Sequence, residues 1–219
     1  MKVRIVILAA LLVLSSLVSP RLFAQNNPYE IDDQVYDYFI LSRKAKGTDQ
    51  CMPYIKAGQQ LAVEKGDYKG LCVIMSSELA HYYTLSDEAN FMRVAEDLRK
   101  IARQYGFSQY YYHAFNSQVG LLLNKGRVVS ALDLANEVMH EAEMENDAYG
   151  VFGSYRAIAN IYHLRGNKRL AVENYKKAIE WYWNTDLKDT QSISQTYFDV
   201  ATLMPAKDDS TLFYVEKVI

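Results

Sequence analysis

The chain has 219 residues, half of them hydrophobic by a broad count, so it can bury a core and is not a disordered tail. Its 10 Gly and 4 Pro are too few for an all-β chain that must turn about every ten residues. The formal charge is −2, and it falls to −5 if Lys2, Arg4 and Arg21 leave with an N-terminal leader; this balance repels phosphate backbones and excludes nucleic acid as a partner.

Residues 1–24 read as a secretory signal peptide. Lys2 and Arg4 precede about 14 apolar or small residues, Ile5 to Val18, matching the charged and hydrophobic regions of such a leader. A spanning helix needs roughly 20 residues, which makes an uncleaved anchor the lesser alternative. Pro20 breaks the run, and Ala24 offers a small residue for cleavage before Gln25. No Cys follows for lipid attachment. The expected location is therefore the periplasm, with membrane contact only through an uncleaved leader or a segment beyond residue 219. Cys51 and Cys72 fall on apolar helical stripes and are read as buried thiols ahead of a disulfide.

From Tyr29 onward, apolar residues recur at three and four, the spacing of amphipathic helices. Breaks at Gly47-Thr48, Gly66-Asp67, Ser86-Asp87, Gly106, Gly126, Gly166 and Pro205 leave segments of about 15 to 18 residues, suited to helices paired by tight loops. The segments also repeat. The clearest unit holds Tyr155, Ile158, Ala159, Tyr162, Gly166, Ala171, Tyr175 and Ala178. Forty residues earlier stand Phe115, Gln118, Val119, Leu122, Gly126, Ala131, Ala135 and Val138, and forty before those Met75, Glu78, Leu79, Tyr82, Ser86, Phe91, Ala95 and Leu98. A weaker first copy begins at Val35. Tyr155, Ile158 and Tyr162 share one helical face; Ala159, Ala171 and Ala178 let backbones approach; Gly166 supplies a left-handed turn. The last segment reads as a helix from Thr190 to Met204, a turn over Pro205–Asp208, and a second helix with Thr211, Val215 and Val218 in register. Its incomplete pair carries no polar cap, which implies a longer protein or a covering partner.

The Tyr155–Ala178 unit resembles a tetratricopeptide repeat, with Tyr155 where the family favours Trp and Ala159 where it favours Gly. Trp183 stands at the family's terminal Pro, so the second helix is expected to run on. The forty-residue period exceeds the family's usual ~34, and HEAT-like repeats are the architectural competitor. The resemblance covers about residues 30 to 219. It implies an all-α, tetratricopeptide-like α-solenoid of about five antiparallel helix pairs over 25–219, the last pair incomplete, with protein or peptide as partner in a groove lined by the first helix of each pair.

The sequence carries no signature of catalysis, a cofactor or a metal site. His140-Glu141 begins like a metalloprotease helix, but Met144 stands where the second His belongs. His81, His113, His140 and His163 lack partners at ligand spacing, and no phosphate loop or nucleophile elbow occurs. The groove face is expected one position beyond the buried residues: Arg156, Asn160 and His163; then Asn116, Gly120 and Leu123; then Ser76, Ala80 and Tyr83. Arg and Asn donors there suit a peptide backbone or a carboxylate; the plainer alternative is a solvated helix face. Tyr82-Tyr83, Tyr110–Tyr112 and Trp181–Trp183 should each put a ring outside the core, while packing between repeats is the main role expected of them. Glu141, Glu143, Glu145 and Asp147 read as a solvated edge rather than a cation site.

Exported arrays of this kind resemble the amino-terminal regions of membrane-bound histidine kinases and helix-turn-helix regulators of Bacteroidetes-like bacteria. That resemblance implies a non-catalytic sensory or protein-interaction region of a two-component sensor or regulator, and a homodimer would be compatible with it. A free-standing periplasmic scaffold for envelope assembly is the alternative. A glycan-binding role is less expected, because the lipidation Cys typical of sugar-capture proteins is missing.

Overall fold

A computed structural model of the chain describes residues 27–205 and 209–218; the proposed leader, residues 1–24, lies outside them. The described residues form ten helices and no strand: α1 (Asp33–Lys44), α2 (Cys51–Lys65), α3 (Tyr68–Leu85), α4 (Glu88–Tyr105), α5 (Ser108–Asn124), α6 (Val128–Glu145), α7 (Ala148–Leu164), α8 (Lys168–Trp183), α9 (Thr190–Leu203) and α10 (Asp209–Glu216). Each packs on its neighbours in the chain, so the fold is an all-α solenoid of helix hairpins.

The turns set the period. A left-handed residue ends a helix at Gly66, Ser86, Gly106, Gly126, Asn146 and Gly166, one every twenty residues. Asn146 is the turn that a search for Gly and Pro misses; Asn reaches this region because its short polar side chain bonds locally. Nothing lies near Gly66, Gly106, Gly126 or Gly166, so the positive φ is what glycine supplies there. The carboxylates of Asp67, Asp87, Asp147 and Asp189 and the amide oxygen of Asn167 then accept from the backbone N–H three residues on, starting the next helix. Such a cap stabilises a helix by about 1 kcal/mol.

The four long even helices bury the same face. Cys51, Ile55, Gly58 and Ala62 of α2 correspond in steps of forty to Phe91, Ala95, Leu98 and Ala102 of α4, to Ala131, Ala135, Val138 and Ala142 of α6, and to Ala171, Tyr175, Ala178 and Tyr182 of α8. Odd helices are enclosed on more sides. Gly150 of α7 lies so close to α5 that a Cβ would sit 2.6 Å from Tyr112 Cζ. Because α7 is gripped this way, its core includes Phe152, Ser154 and Ile161, while Tyr155 and Tyr162, expected in the core, are half-buried.

Successive odd helices from α1 to α7 pack directly on one another, whereas successive even helices do not. Hairpins that touch along one edge and part along the other curve toward the touching edge. Odd helices therefore line an inner wall, and outer gaps open between even ones. Arg103 of α4 spans the gap to α6, with Nη2 2.5 Å from Glu141 and Nη1 2.9 Å from Glu145. Its guanidinium lies 4.2 Å from the Tyr111 ring centre, and the Tyr111 hydroxyl donates to Glu141 at 2.6 Å. Half of the acidic run is thus a cross-link between hairpins rather than a solvated edge, and Asp147 is a helix cap.

The periodicity changes at the C-terminal end. The second helix of the clearest repeat continues through Trp183, the position of the family's Pro, and stops there. The connection to α9, residues 184–189, is longer than the earlier turns and moves that helix's buried set two residues onward, to Ile193, Thr196, Val200 and Leu203. In α10, Tyr214 rather than Val215 turns inward, 6.1 Å from the Tyr197 ring, and Val215 and Val218 are exposed. Cys51 and Cys72 are free and fully buried, and burial pushes the Cys72 thiol up to about 12. No helix among the described residues is long and apolar enough to cross a membrane.

Candidate functional site on the inner wall

The expected groove residues fall into two groups. Asn116 of α5 and Arg156 and Asn160 of α7 come together. Gly153 makes room for them, since a Cβ there would meet the Asn116 amide nitrogen. One turn from Gly153, the Arg156 guanidinium lies 5.4 Å from the Phe152 ring centre. Burial pulls its pKa down, opposed by the carboxylates of Asp199 and Asp189. Its Nε is buried with no protein partner. Asn160 is exposed, and its side-chain oxygen accepts from the Tyr175 hydroxyl of α8. That bond fixes the amide so that its NH2 group is left to donate. His163, one turn on, is exposed at the end of α7.

Ser76 and Tyr83 stand apart on α3. The Ser76 hydroxyl is spent on the Cys72 carbonyl of its own helix at 2.9 Å. Tyr83 is half-buried, its ring centre 6.3 Å from that of Phe91. Neither presents a free polar group beside Arg156.

Three members of the strip escape a forty-residue comparison. His113 lies one turn before Asn116 on the same face of α5, its ring exposed on the inner wall; crowding by the neighbouring helices lowers its pKa, opposed by Asp189. Asp189 caps α9 and Asp199 lies on it, and the two-residue shift of that helix hides them. A signal for His113 was present, because a residue three before a groove position shares its face. The inner strip thus offers the donors of Asn116, Arg156 and Asn160, flanked by His113 and two carboxylates. Such an arrangement can hold amide groups and a charged side chain, and it contains no nucleophile–base pair.

The remaining histidines are separate. Buried His81 accepts from the Gly47 N–H at 3.1 Å through Nδ1, and His140 is exposed on α6. Of the aromatic runs, Tyr110 and Tyr112 are buried and Tyr111 half-buried, because α5 is covered on several sides; only Trp183 is largely exposed, at 63%, with its indole N–H on the Tyr197 hydroxyl at 2.7 Å.

No family model matches the chain, and no curated protein matches it. Among solved structures it is similar to the crystal structure of BtubC (BKLC) from P. vanneervenii, at 13% identity, covering 85% of this chain and 84% of that one, with a TM-score of 0.48. A likeness that distant carries no argument, and the solenoid rests on the chain's own packing and period.

Proposed function

We propose that this chain is an exported tetratricopeptide-like binding module whose inner wall takes a peptide segment of a partner protein, as the sensory region of a membrane-bound signalling protein. The observation that supports this reading is the strip of Asn116, Arg156 and Asn160, held by Tyr175 and Gly153 with donors unspent. Side-chain amides and a guanidinium placed along a helix-lined wall read an extended backbone without acting on it chemically. Occupying the wall would alter how neighbouring hairpins lie on one another, which is the change an attached output domain would sense.

The test places a photo-crosslinking amino acid at His163 in the producing cell, with Val129 of α6 as an exposed control position. Adducts should form from His163 and not from Val129, and should disappear with Arg156→Glu plus Asn160→Ala while helicity is unchanged. Unaltered capture by that double variant retires the strip. Export is tested by fusing residues 1–30 to a reporter active only outside the cytoplasm. The signalling role is tested by reading the gene past codon 219: an immediate stop removes it, and an apolar span followed by an output domain supports it.

A further inference from the structure

The first turn of the stack closes differently from those that follow. After each left-handed residue from Gly66 to Gly166, the next backbone N–H bonds to the carbonyl five residues back, as Asp67 does to Ala62 at 2.8 Å and Asn167 to Tyr162 at 2.9 Å. That bond seals the helix end within the chain itself. Between α1 and α2 the connection is longer, residues 45–50, and its left-handed residue is Gly47, at φ +82°. Thr48, next in line, reaches back only to Ala45, at 3.0 Å. Gln50 starts α2 without a side-chain cap. The Gly47 N–H finds its acceptor on another helix: Nδ1 of His81 on α3, 3.1 Å away.

His81 is 3% exposed, and the turn lies so close on the end of α3 that a Cβ at Gly47 would sit 3.1 Å from Thr84 Cγ2. A neutral imidazole that accepts through Nδ1 carries its one proton on Nε2. A second proton goes to Nδ1 and replaces the lone pair that Gly47 uses, so that two N–H groups face one another. The turn has to lift before that proton binds, and acid therefore captures the lifted form. The surroundings give the resulting cation little support. Arg43, Lys44 and Lys46 bring positive charge to the end of α1 and to the turn. Of the carboxylates, Glu78 is engaged by Gln59 and Arg93, Asp87 by Asn90 as the cap of α4, and Asp49 is exposed in the turn. The Tyr82 ring centre lies 5.5 Å from that of His81, and the Cys51 thiol donates to the Ser42 carbonyl at 3.3 Å. From α5, residues 114–124 bring no ionisable group.

We propose that His81 is a pH-sensitive latch on the first hairpin: neutral, it pins the α1–α2 turn to α3, and protonated, it releases residues 46–51. The body of α1 stays in place, because the Ser42 and Ser77 hydroxyls join it to α3 at 2.7 Å and neither titrates. The later turns from Gly66 to Gly166 stay closed, since backbone bonds hold them.

The test is hydrogen exchange of the full chain, read by mass spectrometry at about pH 7.5 and about pH 5, each rate divided by that of the unstructured peptide at the same pH. Protection of residues 46–51 should fall about tenfold in acid, the scale of losing one buried hydrogen bond, while the turns at Gly66 and Gly106 keep theirs. His81→Asn puts an amide oxygen near the Nδ1 position and removes the titration. That variant should protect residues 46–51 equally at both pH values. Should it fold poorly, the ring reports in the native chain: nitrogen NMR should find Nδ1 without a proton at neutral pH, and the Gly47 amide shift should move together with the imidazole as pH falls. Protection unchanged by acid, acid-sensitive protection that persists in His81→Asn, a proton on Nδ1 at neutral pH, or a Gly47 shift that ignores the imidazole each overturns the proposal.

Discussion

Replacing Arg103 by Met tests whether the α4–α6 cross-link holds the hairpins together or merely decorates them. Methionine keeps most of the apolar stem and removes the charge. The side chain is 51% exposed, so each of its two ion pairs is screened and contributes about 0.5 kcal/mol. The guanidinium over Tyr111 adds roughly 0.5–1 kcal/mol at such a site. The Tyr111–Glu141 hydrogen bond survives the change. The expected loss is therefore about 1.5–2 kcal/mol. Read by urea titration of tyrosine and tryptophan fluorescence, that is a midpoint lowered by roughly 0.5–1 M. Combining Arg103→Met with Glu141→Gln should cost less than the two separately, because they remove one shared contact. Raising the salt concentration to about 1 M should shrink the difference. A midpoint within about 0.1 M of the wild type at low salt, or full additivity of the pair, would refute the reasoning.

Gly150→Ala should destabilise by about 1–3 kcal/mol despite the better helix propensity of alanine, because the new methyl meets Tyr112 and Ala142; thermal unfolding checks it, and a stabilised variant would contradict the close approach. The His113 imidazole should titrate below the ordinary histidine range in a two-dimensional NMR series, and Asp189→Asn should move it lower still. The unfolded chain then takes up that proton first as pH falls, so the residue's contribution to stability is present above the ordinary value and lost below it, and it is small because the ring is exposed; a midpoint at or above the ordinary range ends this account. Cys51 and Cys72 should resist a thiol reagent at neutral pH until denaturant is added, and fast labelling of the native protein would show that their site opens.

How much of this was legible depended on how many sides of a helix are covered. Even helices bury one stripe, so stepping by forty from Ala171, Tyr175 and Ala178 named the buried residues of α4 and α6 correctly. Odd helices lie between neighbours, and a single apolar stripe misplaces their core by about one residue: Ser154 and Ile161 are buried where Tyr155 and Tyr162 were expected. Asn146 passed unnoticed because a left-handed asparagine looks like any polar residue in the chain. The longer connection over 184–189 defeated the fixed step altogether and hid Asp189 and Asp199. In the inner strip, residue type revealed Asn116, Arg156 and Asn160, but the Tyr175 hydroxyl that orients Asn160 comes from another helix, and nothing in local spacing points to it.

One layer of the stack also dictates the order of its members. Gln59 meets Glu78 at 2.6 Å, and forty residues on Arg99 meets Gln118 at 2.7 Å. Forty further stand Met139 and Ile158, which lie in one apolar cluster. The ionised partner changes helix from the first couple to the second and vanishes in the third. A permuted array would set Met139 against Glu78, depriving a buried carboxylate of its amide donor, or half-exposed Arg99 against Ile158, which offers the guanidinium no acceptor. The units share a shape but differ in this contact, which favours one order of hairpins along the rod over a permuted one.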